Sequence, residues 1–364
     1  MSVAVGKIPR LATVPVGGAA RPGPLLRRGW LRRRSWRAVG LVAVAVVVAL
    51  VSLASIAYGS KPIPFTTVID ALFAFDPTLN DHLIIRSLRI PRTLVGLAVG
   101  VALGLAGAVM QGVARNPLAG PGILGVNAGA SLFVVVAIYA FGIASLSGYV
   151  WFAFAGAALT AVVVYGLGSI GREGATPVKL ALAGAAVAAL LGSVTTAILL
   201  IDVATLDQYR FWAVGSLAGR DADIVGQVTP FIAVGTVVAL ASGRLLNALA
   251  LGDDVARSLG QRVGRARVFS AASVVLLVGA ATAAAGPIGF VGLTVPHVAR
   301  AICGPDYRWV LPYSALLAPV LLLGSDIIGR VVARPGELQV GIVTALVGSP
   351  FFVALVRRRK LAEL

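Results

Sequence analysis

Side chains able to do chemistry are scarce in this chain, and their spacing excludes more than it permits. The two histidines, His82 and His297, lie far apart and on either side of several apolar runs, so no His-based metal site is expected. Cys303 is the single cysteine. It leaves no intrachain disulfide and no thiolate metal site, and reads as a small packing residue. A phosphate-cradling Gly-x-x-x-x-Gly-Lys-Ser/Thr loop is absent, because Gly6-Lys7 runs into Ile8. The chain therefore cannot bind and hydrolyse ATP in that manner. Asp326 stands four residues before Arg330, the spacing of an ion pair along one helix. A proton relay would need further carboxylates inside apolar segments, and these supply almost none. His297 and Arg300 lie one helical turn apart and suit capping or snorkelling. No catalytic residue, metal ligand or bound cofactor is assigned, and the chain is not expected to be an enzyme.

Three polar features need another explanation. Arg86, Arg89 and Arg92 step by three just ahead of an apolar run, Thr93 to Ala114. They either snorkel at an interface or meet an acidic partner, and the residues alone leave both open. Within that run Gly96, Gly100 and Gly104 fall four apart, so one helix face is bare backbone suited to close packing. Gln111 follows on the same face and carries a polar group inward. The third feature is Leu251–Gly260, which reads as a short isolated helix. Asp253 can cap or favour its N-terminus, Val255 and Leu259 pair at i,i+4, and Gly260 ends it. It either lies on headgroups or inserts into a cytoplasmic partner.

The elements that carry these residues follow from composition. Of 364 residues, 58% are hydrophobic and 12% charged, which excludes an ordinary soluble domain. The net charge of +17 is not arranged as an aromatic-laced basic patch, so nucleic acid is not an expected partner. Uncharged windows long enough for a bilayer core occur at 38–59, 93–114, twice within 116–171 (broken near 144–148), 180–201, 225–243, 268–290, 309–325 and 338–356. Pro230 is expected near the start of the sixth. A short irregular piece, 291–299 with Pro296, makes ten. With the N-terminus inside, 23 of the 31 Lys and Arg fall on the inner side and 8 on the outer. Both termini are thus expected in the cytoplasm. Residues 1–37 read as a basic, disordered tail and 38–364 as one membrane domain. The first apolar run is a retained span rather than a cleaved signal.

Set in order, these segments resemble a family. Arg89-Ile90-Pro91-Arg92, the glycine-rich span, Gln111 and Arg115-Asn116-Pro117-Leu118-Ala119-Gly120-Pro121-Gly122-Ile123-Leu124-Gly125-Val126-Asn127-Ala128-Gly129-Ala130 are similar to the permease subunits of iron-siderophore and vitamin B12 ABC importers, the FecCD family. The segments 251–260, 286–297, 324–330 and 337–344 match in the same order. The resemblance covers the chain from about Val39 onward. Two positions depart from it: Gly120 where many members have an acid, and Gln339 where proline is usual.

The resemblance implies an all-α polytopic membrane protein of about ten spans, the type II ABC importer fold, in the cytoplasmic membrane. It implies a second, identical or similar permease around a central path, and two cytoplasmic ATPase subunits that use ATP and Mg. It also implies an extracytoplasmic binding protein whose acidic residues meet Arg89, Arg92 and Arg330. Coupling to the ATPase would fall to Asp253, Val255, Ala256, Arg257, Leu259 and Gly260. Gly96, Gly100, Gly104, Gln111, Asn116, Pro117, Asn127 and Gly129 would pack helices or line the path. The expected cargo is an iron(III)-siderophore complex. Vitamin B12 or haem is the alternative, and a cation-coupled secondary carrier is disfavoured by the lack of intramembrane carboxylates.

Overall fold

A computed structural model describes residues 34–143, 145–171 and 176–360, with the side chains of 177 and 355–360 left aside. The tail expected over 1–37 lies outside the described residues except for 34–37, which open the first helix. Ala144, at the expected break, also lies outside them.

The described residues are helical wherever they are regular. In chain order the helices are α1 (Arg34–Ala57), α2 (Phe65–Phe73), α3 (Asn80–Leu83), α4 (Ile90–Ala114), α5 (Val126–Phe141), α6 (Leu146–Gly168), α7 (Pro177–Ile201), α8 (Val203–Ala213), α9 (Ala222–Ala241), α10 (Gly243–Ala250), α11 (Asp253–Ser258), α12 (Val263–Ala285), α13 (Val291–Cys303), α14 (Tyr307–Val332) and α15 (Val340–Lys360). A π-helical turn, Ile84–Arg89, joins α3 to α4, and a 3-10 turn, Pro121–Leu124, precedes α5. Seven helices, with α3 and α4 counted as one, are long and apolar enough to cross a membrane, and three shorter apolar helices accompany them. The ten apolar segments of the sequence map onto these. Water is absent from a bilayer core, so backbone groups must be satisfied within each segment, and helices do that.

Several boundaries move. The sixth span begins at Ala222 because the Asp221 carboxylate accepts the Ile224 amide at 3.1 Å. Pro230 consequently sits mid-helix rather than near the start. The eighth element is short, at 13 residues, and keeps Pro296 inside it. Helices α2, α8 and α10 lie between the spans, in segments too polar or too short to register as apolar runs.

Helices α4 and α12 form the centre, while α1 and α7 are peripheral with mostly exposed surfaces. The glycines of α4 set its packing distances. A Cβ on Gly100 would come within 2.6 Å of the Pro319 backbone of α14, and one on Gly104 within 2.3 Å of the Ser314 carbonyl. Gly96 faces Leu323 of the same helix. Gly107, on a neighbouring face, meets Gly292 of α13 backbone to backbone: a Cβ there would lie 1.8 Å from its carbonyl oxygen. The expected bare face is thus a packing face.

A methyl group at Gly107 should force α4 and α13 apart. Gly107→Ala is expected to lower the detergent-solubilised protein's thermal transition, at the overpacking cost of about 1–3 kcal/mol. Gly166→Ala on α6, where nothing lies within 4 Å, should be neutral or stabilising by up to ~1 kcal/mol. Equal effects from the two changes would show that the contact does not constrain α4.

Candidate functional site

Two polar assemblies interrupt the apolar bundle, one at each end. At the end that charge bias assigns to the outside, α1 stops at Ala57 and exposes its last carbonyls. Arg89 donates to the carbonyls of Ile56, Ala57 and Lys61 at 3.0, 2.6 and 2.6 Å. Arg330 donates to Ser55 and Tyr58 carbonyls at 2.9 and 3.0 Å, and to Ser55 Oγ at 2.8 Å. Arg334 reaches the Gly59 carbonyl at 2.7 Å. Three guanidiniums therefore close one helix terminus, where positive charge also complements the dipole.

Charge balance in this assembly comes from Asp326, fully buried on α14. Its carboxylate takes Arg330 at 2.9 Å, the i,i+4 pair expected from spacing, and Arg92 at 2.7 Å. Arg92 spans onward to Glu337 at 2.7 Å. Burial alone would push the Glu337 carboxyl up. The charge and hydrogen bond of Arg92 outweigh it and hold the group below the usual glutamate range. The arginines expected to face a docking protein are thus turned inward. Arg89 and Arg330 are buried, with their donors spent on carbonyls and Asp326. Neither is presented to a partner in this conformation.

At the opposite end α4 finishes on Arg115, which adopts a left-handed conformation (φ 49°). Asn116 then closes a turn by accepting the Leu118 amide at 2.9 Å. The Pro117 carbonyl contacts His297 Nε2 at 2.8 Å. Gln111 donates to the Leu293 carbonyl at 3.1 Å and accepts from Arg300. His297 and Arg300, expected in a structural role of capping or snorkelling, are therefore clamps between α13 and the α4 end.

Beyond this lies the six-residue α11, shorter than the 251–260 segment anticipated. Leu251 and Gly252 precede it, and Gly252 (φ 106°) occupies the capping position, so Asp253 does not cap. Its carboxylate instead meets Arg115 at 2.9 Å and Arg267 at 2.9 Å. One acid so ties α11 to the end of α4 and the start of α12, the two central helices. Ala256 is buried beneath, while Val255, Arg257 and Leu259 are exposed and Gly260 (φ 80°) turns the chain away. Val255 and Leu259 thus form an exposed apolar knob on a charged tether.

Asn127 and Gly129, expected on the path or in packing, both engage other helices. Asn127 Oδ1 accepts from Thr282 at 3.1 Å, and a Cβ on Gly129 would meet Gly156 and Thr160 of α6. Sequence reasoning did not place Glu337 opposite Arg92, or Arg115 and Arg267 on Asp253. The available signal was scarcity: with 14 acids against 31 bases, an acid beside an apolar span is claimed by a base.

Asp326→Asn should destabilise the protein strongly, by roughly 3–5 kcal/mol, since it strands two arginines. Glu337→Gln, at the half-exposed end of the same chain of charges, should cost no more than ~1 kcal/mol. Thermal unfolding of the purified variants measures both, and a mild Asp326→Asn would mean the pair is dispensable.

The sequence profile of the FecCD transport family matches residues 41–358. The ferric enterobactin transport permease FepD of Escherichia coli is 43% identical over 323 residues, covering 89% of this chain and 96% of its own. The Fe(3+)-citrate import permease YfmD of Bacillus subtilis is 42% identical over 328 residues, covering 90% and 97%. A solved metal-chelate type ABC transporter in an inward-facing conformation superposes with a TM-score of 0.77 at 27% identity, covering 88% of this chain and 99% of that one. A membrane bundle whose motifs occur in order over nine-tenths of its length, with likeness at that level in both sequence and fold, has one assignment: this chain belongs to the FecCD transport family, the permease subunits of ABC importers.

Proposed function

We propose that this chain carries an iron(III)-siderophore complex inward across the cell membrane, as one permease of an ABC importer. The observation that carries the reading is α11: an exposed apolar knob of Val255 and Leu259, tethered through Asp253 to both central helices. A chain without a phosphate-binding loop needs an external source of work, and this is where it would enter. The siderophore cargo is supported by the ferric chelates named for the two bacterial relatives above.

In this reading both termini are cytoplasmic. Two ATPase subunits bind ATP and Mg and press on α11. A second permease packs against this one to enclose the path; the largely exposed α7 is a surface that suits such a contact. An extracytoplasmic binding protein delivers the chelate to the end that bears Arg89, Arg92 and Arg330. Those arginines serve delivery by bracing the rim, with Arg92 and Glu337 nearest its surface. Closure of the ATPase pair displaces α11, Asp253 passes the displacement to α4 and α12, and the bundle switches the side on which the path opens.

Deleting the gene should abolish uptake of radioactive ferric siderophore and leave other transport intact. Normal iron uptake with loss of vitamin B12 or haem uptake would reassign the cargo and keep the machine. Leu259→Asp should insert and fold normally yet transport less than about a tenth as fast, the scale of one lost interface anchor. ATP hydrolysis by the assembled complex should persist. Unchanged transport would return α11 to the membrane surface.

A further inference from the structure

Eight Lys and Arg residues fall in the outer segments, and seven of them are partnered. Lys61 pairs with Asp81, Arg86 donates to the Ala71 and Leu72 carbonyls, and Arg210 pairs with Asp207. Arg89, Arg92, Arg330 and Arg334 have the partners given above. Arg220 is the exception. It is 8% exposed, makes no hydrogen bond or ion pair among the described residues, and has a sealed Nε with no acceptor.

Its position is built rather than loose. Residues 214–221 turn between α8 and α9. Leu217 of this turn lies against the Gly96 position of α4, and the Ser216 amide donates to the Ala285 carbonyl at 2.8 Å. Ser216 Oγ accepts the Ala218 amide at 3.1 Å. The adjacent carboxylate, Asp221, is exposed and committed to the α9 cap. The groups whose charge acts on Arg220 are Tyr149, Arg92 and Asp221. Burial, foremost, lowers the guanidinium to about 10, so it remains a cation at neutral pH. A buried cation beside a second arginine is left here without a counter-charge in direct contact.

We propose that Arg220 binds an anionic oxygen of the transported ferric chelate as it enters from the outer side. The inference rests on the iron-chelate reading of the preceding subsection. Iron(III) chelators hold the metal through carboxylate, catecholate or hydroxamate oxygens, and a guanidinium recognises such groups through paired N–H donors. The same chemistry is available from a carboxylate on the delivery protein. Its burial favours the small ligand, because only 8% of the arginine is open to a broad docking face. Arg92, tied to Asp326 and Glu337, contributes positive potential without competing for the contact.

The test uses the complete transporter, with its ATPases and delivery protein, in phosphatidylcholine vesicles. Uptake of radiolabelled ferric citrate, an anionic ferric tricatecholate and a neutral ferric trihydroxamate is compared for wild type, Arg220→Gln, Arg220→Met and Arg220→Lys. The Gln and Met variants should keep or raise the thermal transition, since they remove an uncompensated buried charge. They should slow uptake of an anionic chelate by about tenfold, chiefly through KM. Arg220→Lys should keep part of it, and uptake of the neutral chelate should not change. Unchanged uptake of the anionic chelates, or a wild type that carries only the neutral one, overturns the proposal. So does a fall in thermal stability for Arg220→Met, which would make the residue structural. Weakened docking of the chelate-free delivery protein would assign the anion to that protein and overturn it equally. A wild type that carries none of the three chelates sinks the iron reading itself, and this inference with it.

Discussion

A helix terminus leaves carbonyls with no partner in their own helix, and one end of this structure is organised around such a terminus. The last carbonyls of α1 and the residues after it, from Ser55 to Lys61, are taken by Arg89, Arg330 and Arg334. Those side chains come from the start of α4 and the end of α14. Meeting a local backbone demand therefore fixes three elements at once. It also explains Asp326: cations drawn inward to cap carbonyls need a counter-charge, and a carboxylate between Arg92 and Arg330 supplies it. The cluster is a structural keystone before it is anything else.

A second constraint is the thinness of the central contacts. Apolar burial does not drive helix association in lipid, so closeness has to come from small residues. Gly100 and Gly104 of α4 admit the backbone of α14, and Gly107 admits that of α13. Gly129 and Gly156 do the same for α5 and α6. Polar clamps sit where these close contacts end. Gln111 with Arg300, and His297 with Pro117, fasten α13 to the α4 terminus.

Much of this was legible in the residues. Uncharged runs located the spans, four-residue glycine spacing identified the packing face of α4, and the interval between Asp326 and Arg330 gave their ion pair. What stayed hidden has a common cause. Arg92 with Glu337, and Asp253 with Arg115 and Arg267, join residues distant in sequence, and no local period reports such pairs. The direction of Arg89 and Arg330 was also illegible, because the carbonyls they cap lie far away in the chain. Asp253 looked like a cap by residue type. Gly252 took that place because the backbone there turns through φ 106°, which glycine tolerates.

The contact between Gly107 and Gly292 has a consequence for how the bundle can move. Where two backbones touch with no side chain between them, neither rotamer change nor sliding of interdigitated groups can absorb displacement. The α4–α13 pair then behaves as a single stiff plank, and bending must collect at its margins. Those margins are the turns where Arg115 and Gly125 follow α4 and where Gly286 and Phe290 precede α13, all with positive φ. Two of the four are ordinary residues held in a conformation that side chains resist, so each stores torsion that a change of shape can release. The fold thus separates its rigid lever from its joints, and the joints lie at the ends of the lever.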